Sequence, residues 1–229
     1  MSLFTAKGKA AKDSAKKKKV DLKKVYVKLK DGESIRVRLL STEDYVEYMG
    51  SGDFNIGLYT TAVIGKNDPY TIACNSGIEK FEKLYPKKRY LFAFANIDTG
   101  ELVVFDATKG QGEKLMDMID DLAETIEEGS HAMTFKRVGE KTETSYSLMP
   151  IMKLKADDQE KFRSFDGVTV PEDFYESVLI PKTEEQKIEN LKEAGFPVED
   201  FFNNPSEKVE EREEEGEPEE IGTDETENF

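Results

Sequence analysis

The sequence predicts a mainly β fold of the α+β class, in which short helices interrupt strands that join in antiparallel hairpins. Three pairs of apolar segments are each joined by a short polar turn with a glycine, at Gly32, Gly100 and Gly139. Such pairs are typical of antiparallel hairpins. One longer segment with helical spacing separates the second pair from the third. The two ends of the chain lie outside these elements and are highly charged.

The first hairpin is predicted from two alternating segments. Apolar and charged residues alternate over 22–30, and the alternation resumes at Ile35 and Val37 after the turn. A period of two with one apolar face indicates strands with one buried side. A loop is expected next, because Tyr45 and Tyr48 are followed by several glycines, and a further strand is expected over 56–64.

The remaining elements follow the same reasoning. The spacing of apolar residues predicts a short helix over 78–84 and a longer one that begins after Thr108 and closes at Gly129. The second hairpin is predicted from residues 87–97 and 101–107, and the third from 133–138 and 145–151. A last short helix is expected over 183–194.

Hairpins interrupted by short helices favour a small antiparallel barrel of the oligonucleotide-binding (OB) type, and a mixed α+β sandwich is the alternative. We divide the chain into a basic disordered arm (1–20), an OB-like core (21–155), a partly ordered extension (156–206) and an acidic disordered tail (207–229). The arm holds seven lysines and one acid, and the tail holds 12 acids and two bases. Segments so poor in apolar side chains are expected to stay disordered.

Composition excludes several classes of site. One cysteine and one histidine among 229 residues rule out a disulfide framework and a Cys/His zinc site. No apolar run has the length of a membrane span, so we expect no membrane association. No phosphate-binding loop or nucleophile motif is present, and the sequence therefore predicts no catalytic residues, no cofactor and no enzyme activity.

The densest mixture of cations and aromatics is the run from Lys87 to Phe94. Ammonium and guanidinium groups neutralise phosphates while ring faces stack on bases of any sequence, so this run predicts single-strand binding. We assign Phe94 to the core. The candidate contacts over the three hairpins are Arg36, Arg38, Tyr45, Tyr48, Lys87, Lys88, Arg89, Tyr90, Phe92, Lys136, Arg137 and Tyr146.

Three runs resemble the helix-destabilising single-stranded DNA-binding proteins of T-even-like bacteriophages: Ser34 to Ser41, Pro69 to Cys74, and Lys87 to Ile97, followed by the acidic tail. The resemblance implies sequence-independent, cooperative coating of single-stranded DNA in phage replication, recombination and repair, in the cytoplasm of an infected bacterium. It also departs from the family, whose members hold a zinc where this chain offers only Cys74.

The same resemblance assigns roles to the two ends. The basic arm, with Lys16, Lys17, Lys18 and Lys19, would mediate cooperative self-association along DNA. The acidic tail would recruit replication and recombination proteins, and it would also compete with DNA for the protein's own cations. The tail's partner-binding residues would be Asp224, Glu225, Glu227 and Phe229.

The charge distribution favours a different function. Of the total net charge of −15, residues 39–206 carry −14 once the basic first 38 residues and the tail are set aside. An acidic interaction protein, which mimics DNA or inhibits a basic enzyme, is therefore the alternative. RNA in place of DNA is a third possibility.

Overall fold

A computed structural model describes residues 20–61, 65–140 and 143–202. The chain has a mixed α+β fold with a mostly antiparallel, open sheet of seven strands and several short helices. The predicted acidic tail and all but the last residue of the predicted arm lie outside the described residues. None of the described helices is long and apolar enough to cross a membrane.

The sheet is organised around one long strand. Its strands are β1 (Ser34–Arg38), β2 (Tyr45–Asp53), β3 (Leu58–Thr60), β4 (Pro86–Asn96), β5 (Glu101–Thr108), β6 (Ala132–Val138) and β7 (Ser145–Ile151). The order is β3-β2-β4-β1-β6-β7, and β5 pairs with β4. Strand β4 pairs with β5 along one edge and with β2 and then β1 along the other.

The open sheet curls so that its distant strands meet through side chains. Phe105 on β5 lies with its ring 4.4 Å from that of Tyr146 on β7, and 4.9 Å from that of Phe135 on β6. This curl encloses an apolar interior, while β5 pairs with β4 and β7 pairs with β6.

Short helices connect and cover the strands. They are α1 (Leu22–Val25), α2 (Pro69–Cys74), α3 (Lys109–Asp121), α4 (Ala123–Glu127), α5 (Ala156–Arg163), α6 (Glu172–Val178), α7 (Glu184–Glu193) and α8 (Val198–Phe202). Two 3₁₀ turns cover Phe54–Ile56 and Glu79–Leu84. Thr108 caps α3 in a capping box with Gln111, which satisfies the free N–H groups of the first turn.

The two faces of the sheet pack against different helices. The interior face buries Phe92, Phe94 and Phe135 against Leu115 and Ile119 of α3. The opposite face of β4 packs on α1 and α6, and the hydroxyl of Tyr26 donates to the carbonyl of Val178 at 3.0 Å. The fold therefore has a layer of helix on each side of β4.

A third cluster holds the connection between β3 and β4. Tyr70 and Phe81 pack there against Leu191 of α7 and against Phe196, which lies in the segment after α7. The predicted extension is thus part of the fold, because its described residues, 156–202, contribute buried side chains to three separate clusters.

Most of the predicted elements are confirmed, and two are wrong. The second and third hairpins and the helix after Thr108 lie where the sequence predicts them, with a break in the helix at Leu122. Residues 22–25 form a helical turn capped by Asp21 and do not pair as a strand with β1. The expected loop around Tyr45 and Tyr48 is instead the nine-residue strand β2.

Candidate nucleic-acid interface

One exposed strip of the sheet combines a cation with aromatic and apolar side chains. The β2–β4 strip consists of Tyr45, Glu47 and Met49 on β2 and of Lys88 and Tyr90 on β4. Glu47 pairs in register with Tyr90, and Met49 with Lys88, so these side chains share one face of the sheet. Toward the interior the strip ends on Phe92, whose ring centre lies 5.3 Å from that of Tyr45.

Glu47 connects the polar groups of the strip. Its carboxylate accepts from the Lys88 ammonium at 3.1 Å and from the Tyr90 hydroxyl at 3.1 Å. The side chains of Lys88 and Glu47 are 43% and 48% exposed, and exposed ion pairs of this kind contribute little to stability. A phosphate can therefore replace Glu47 at small cost.

Helix α3 packs against the ring of Tyr90. A methyl group added at Gly112 would lie 2.5 Å from Cδ2 of the Tyr90 ring, so glycine at this position lets the ring lie flat on the helix. Partial burial raises the pKa of Tyr90 above its usual value, and the hydrogen bond to Glu47 adds to the effect. The ring is positioned, half-exposed, beside the only cation of the strip.

Three predicted contacts are buried, and this corrects their assignment. Phe92 is fully enclosed in the interior cluster, and Tyr48 and Arg89 are 9% and 5% exposed. Side chains alternate along β4, and this places Phe92 on the interior face of the sheet. The sequence alone does not decide whether Phe92 belongs to the core or contacts DNA. A base cannot stack on any of these side chains without opening the sheet.

Arg89 belongs to a buried network on the opposite face of β4. Its Nε donates to Asp106 at 2.9 Å, and the Tyr48 hydroxyl donates to the same carboxylate oxygen at 2.8 Å. The hydroxyls of Tyr48 and Tyr59 lie 2.9 Å apart. Burial and the nearby Asp106 raise the pKa of Tyr48, which stays protonated as a donor.

The two arginines of β1 are paired with acids of the same chain. Arg36 forms ion pairs with Asp98 and with Asp158, at 2.7 Å in the second case. Arg38 donates to Asp166 at 2.7 Å and to the Phe162 carbonyl at 2.9 Å, and its guanidinium lies 4.3 Å from the centre of the Phe162 ring. Helix α5 and the residues after it therefore cover these two predicted DNA contacts.

The third hairpin contributes one free cation. Arg137 donates to the Leu29 carbonyl at 2.8 Å and so fixes the segment before β1. Tyr146 packs into the interior cluster, parallel to Phe135 at 5.5 Å. Lys136 points from the other face of β6 and has no ion-pair partner among the described residues.

Sequence reasoning missed two exposed side chains. Met49 is 42% exposed on the strip, and Tyr85 is 51% exposed at the start of β4. The Lys87 ammonium lies 4.7 Å from the centre of the Tyr85 ring, a cation–π distance. Tyr85 and Lys87 lie on the opposite face from Lys88, because side chains alternate along a strand. The position of Tyr85 immediately before Pro86 and two lysines is the sequence signal that could have revealed this contact.

Other predicted sites fall elsewhere. Lys16 to Lys19 and the tail residues Asp224, Glu225, Glu227 and Phe229 lie outside the described residues. Within 20–61, 65–140 and 143–202, no three Cys, His, Asp or Glu side chains come together as a possible metal site. The Cys74 thiol donates to the Glu82 carbonyl at 3.1 Å, and partial burial raises its pKa.

Comparison with known proteins adds no relative to this picture. No protein-family model matches the chain, and no curated protein matches its sequence.

Proposed function

We propose that the protein binds single-stranded DNA without sequence preference and that the β2–β4 strip is the contact surface. The observation that carries this proposal is the exposed Lys88 beside the half-exposed Tyr90, both bonded to the solvent-accessible carboxylate of Glu47. A phosphate replaces Glu47 at Lys88, and a base stacks on the Tyr90 ring released from its hydrogen bond. Stacking of this kind tolerates every base.

The arginines support a structural role better than a binding role. Arg36, Arg38 and Arg89 each hold a carboxylate of the same chain, and Arg89 is almost completely buried. Removing a buried partner from such a pair costs several kcal/mol, about 3–5. DNA therefore gains less from these side chains than from the exposed Lys88.

The proposal includes the finer features that the sequence resemblance implies. The curled sheet is a variant of the OB barrel, and the protein coats DNA cooperatively during phage replication, recombination and repair in the cytoplasm of an infected bacterium. Lys16 to Lys19 mediate contact between neighbours, and the acidic tail recruits replication and recombination proteins. The protein is not an enzyme and takes no cofactor. The resemblance and the charge pattern of the two ends support this part.

Fluorescence anisotropy with labelled oligonucleotides tests the DNA proposal. We expect single-stranded DNA to bind more tightly than duplex DNA, and affinity to fall with salt by a slope of about −0.7 per phosphate contact. Lys88→Ala and Tyr90→Ala should each weaken binding, the latter by about 1–3 kcal/mol. Lys192→Ala, which removes an exposed cation from α7, is the matched control and should have no effect. Equal affinity for duplex and single strand contradicts the proposal.

Truncation after residue 206 tests the tail. The tail has 12 acids against two bases, so its loss should raise DNA affinity, most at low salt where screening is weakest. Deletion of Phe229 alone removes no side-chain charge and should leave DNA affinity unchanged while it weakens binding to a replication protein. Unchanged DNA affinity after the long truncation at every salt concentration excludes competition by the tail.

One observation favours the alternative function, an acidic protein that binds a basic enzyme surface. The predicted DNA-contacting arginines of β1 are neutralised by Asp98, Asp158 and Asp166, so these two arginines and three acids offer DNA no net positive charge. A DNA mimic should not shift labelled single-stranded oligonucleotide even at low salt. RNA is distinguished by a single-stranded RNA of the same sequence in the same titration.

A further inference from the structure

An acidic cleft lies between the start of β2 and helix α6. It has a volume of about 620 Å³ and is lined by Glu43, Asp44 and Glu47 from one side and by Glu172 and Glu176 from the other. No lysine or arginine of the described chain lines it. Five acidic residues therefore line the cleft, and the one described cation that pairs with any of them is Lys88, which binds Glu47 on the strip.

Two polar atoms at the cleft are buried and lack hydrogen-bond partners. They are Oδ2 of Asp44 and the hydroxyl of Tyr175, a residue that is only 9% exposed. The Asp44 carboxylate is close enough to raise the pKa of the Tyr175 hydroxyl, after burial itself. Buried polar atoms are almost always satisfied by a partner. The two oxygen atoms are therefore available to a hydrogen-bond donor that enters the cleft.

A ligand of these two atoms must donate hydrogen bonds, and a positive charge on it would offset the carboxylates that line the cleft. Ionised Asp44 only accepts hydrogen bonds, and the Tyr175 oxygen can accept as well as donate. A primary ammonium has three donors and no acceptor. It can therefore satisfy both oxygen atoms at once and offset the surrounding carboxylates.

The chain itself supplies such groups next to the cleft. Val20, the first described residue, packs in the same apolar cluster as Val46, Val170 and Leu179, which line the cleft. Residues 1–19 precede it and hold seven lysines, four of them at 16–19. A short tether of this kind gives a local concentration in the millimolar range, so the arm of the same chain reaches the cleft before any other donor.

We propose that the cleft is a binding site for a lysine side chain of the protein's own N-terminal arm. The ammonium lies between Asp44 and Tyr175, and the glutamates at the rim attract the remaining lysines. This site goes beyond DNA binding and does not depend on it. It gives the basic arm a place on the acidic body when no nucleic acid is bound.

Carbodiimide crosslinking of the full-length protein tests the proposal, because the reagent joins a carboxylate only to an amine in direct contact. An equimolar mixture of ¹⁴N- and ¹⁵N-labelled protein is crosslinked without nucleic acid and digested for mass spectrometry. We expect peptides that join lysines of residues 7–19 to Glu43, Asp44, Glu172 or Glu176, each carrying a single isotope. The absence of DNA separates this test from the DNA-binding proposal.

Two variants identify the ligand position. Tyr175→Phe removes an unpartnered hydroxyl and no carboxylate, and Asp44→Asn removes the central charge. Each should lower crosslinking at Glu43, Glu172 and Glu176 by at least about tenfold, the effect of one lost charge-assisted hydrogen bond. Asp117→Asn on α3, an exposed acid that does not line the cleft, should leave the yield unchanged. Circular dichroism checks that each variant is folded.

Three results would overturn the proposal. Crosslinks of mixed isotope would place the arm of a second copy in the cleft. Crosslinks distributed evenly over exposed acids such as Asp117 and Asp120 would show general attraction without a site. Crosslinks at the cleft that survive both substitutions would exclude the ammonium from the Asp44–Tyr175 position.

Discussion

The ammonium of Lys187 on α7 forms an ion pair with the carboxylate of Asp68, and both side chains are only 2% exposed. The other oxygen of Asp68 accepts from the backbone N–H of Tyr70 at 2.9 Å and so caps helix α2. One carboxylate therefore begins a helix and joins it to another helix more than a hundred residues later in the chain.

Lys187→Met should destabilise the protein by about 3–5 kcal/mol, because it leaves the buried Asp68 carboxylate without its counter-ion. Urea unfolding followed by circular dichroism measures the change. The double variant Asp68→Asn/Lys187→Met should recover part of the loss, since the orphaned charge is gone. Lys192→Met on the exposed side of α7 is the control. A loss below 1 kcal/mol for Lys187→Met would contradict the structural role of the pair.

Gly112→Ala should destabilise the protein although alanine favours a helix. The added methyl group collides with the Tyr90 ring at 2.5 Å, and this outweighs a gain of about 1 kcal/mol in helix propensity. In the Tyr90→Ala background the same substitution should become stabilising. Gly110→Ala, where the methyl group meets nothing within 4 Å, should stabilise in both backgrounds. Thermal unfolding of the four variants measures the sign, and stabilisation by Gly112→Ala alone would show that Tyr90 is not held by α3.

Arg38→Met should lower stability and leave affinity for single-stranded DNA nearly unchanged. The substitution keeps the apolar stem and removes the bonds to Asp166 and the Phe162 carbonyl, at a cost of about 2 kcal/mol. Arg163→Met removes an exposed guanidinium from α5 and is the control. Urea unfolding and anisotropy are measured on the same samples. If DNA affinity falls while stability holds, Arg38 is a DNA contact as the sequence predicted.

Stability should decrease as pH rises through the range in which Asp44 ionises. Burial raises the pKa of Asp44 from 3.8 to about 6, partly offset by a backbone hydrogen bond from Ser41. The folded state therefore holds the proton more tightly than the unfolded state, so the ionised carboxylate opposes folding above its raised pKa. The cost is on the order of 2 kcal/mol above about pH 6.5 and vanishes near pH 4.

Asp44→Asn removes this titration and should be more stable than the natural chain at pH 7 but equal to it at pH 4. The comparison is made by urea unfolding at about 1 M salt, where the Debye length is about 3 Å and lysines of the arm are screened. Asp117→Asn is the control. A stability difference that does not change between pH 4 and pH 7 would contradict the raised pKa.

Elements with a strong local signal could be predicted from the sequence. The turn at Gly100 and the cap at Thr108 depend on residues a few positions apart, and both are confirmed. Strand β2 was missed because Gly50 and Gly52 were interpreted as loop residues. A methyl group at Gly52 would lie 2.7 Å from the Tyr59 ring, so this glycine permits close packing on β3, a requirement that local pattern does not reveal.

The candidate site could be predicted only in part for a similar reason. The lysines and Tyr90 of β4 were identified from composition along one strand. The acids that neutralise Arg36 and Arg38 lie 62 to 128 residues away in sequence, and only the folded chain brings them together. The alternation of side chains along β4 also puts Phe92 and Tyr90 on the same face of the strand. It could not show which part of that face α3 covers.

The contribution of residues 156–202 to three apolar clusters has a consequence for synthesis. All seven strands are synthesised before Phe162, Val178 and Leu191 exist to cover them. At elongation rates of about 5–20 residues per second, the sheet waits about 2–10 s with one side of each cluster open. Over that interval the nascent chain exposes apolar surface of the kind that chaperones recognise, and helices α5 to α8 cover it in turn as they emerge.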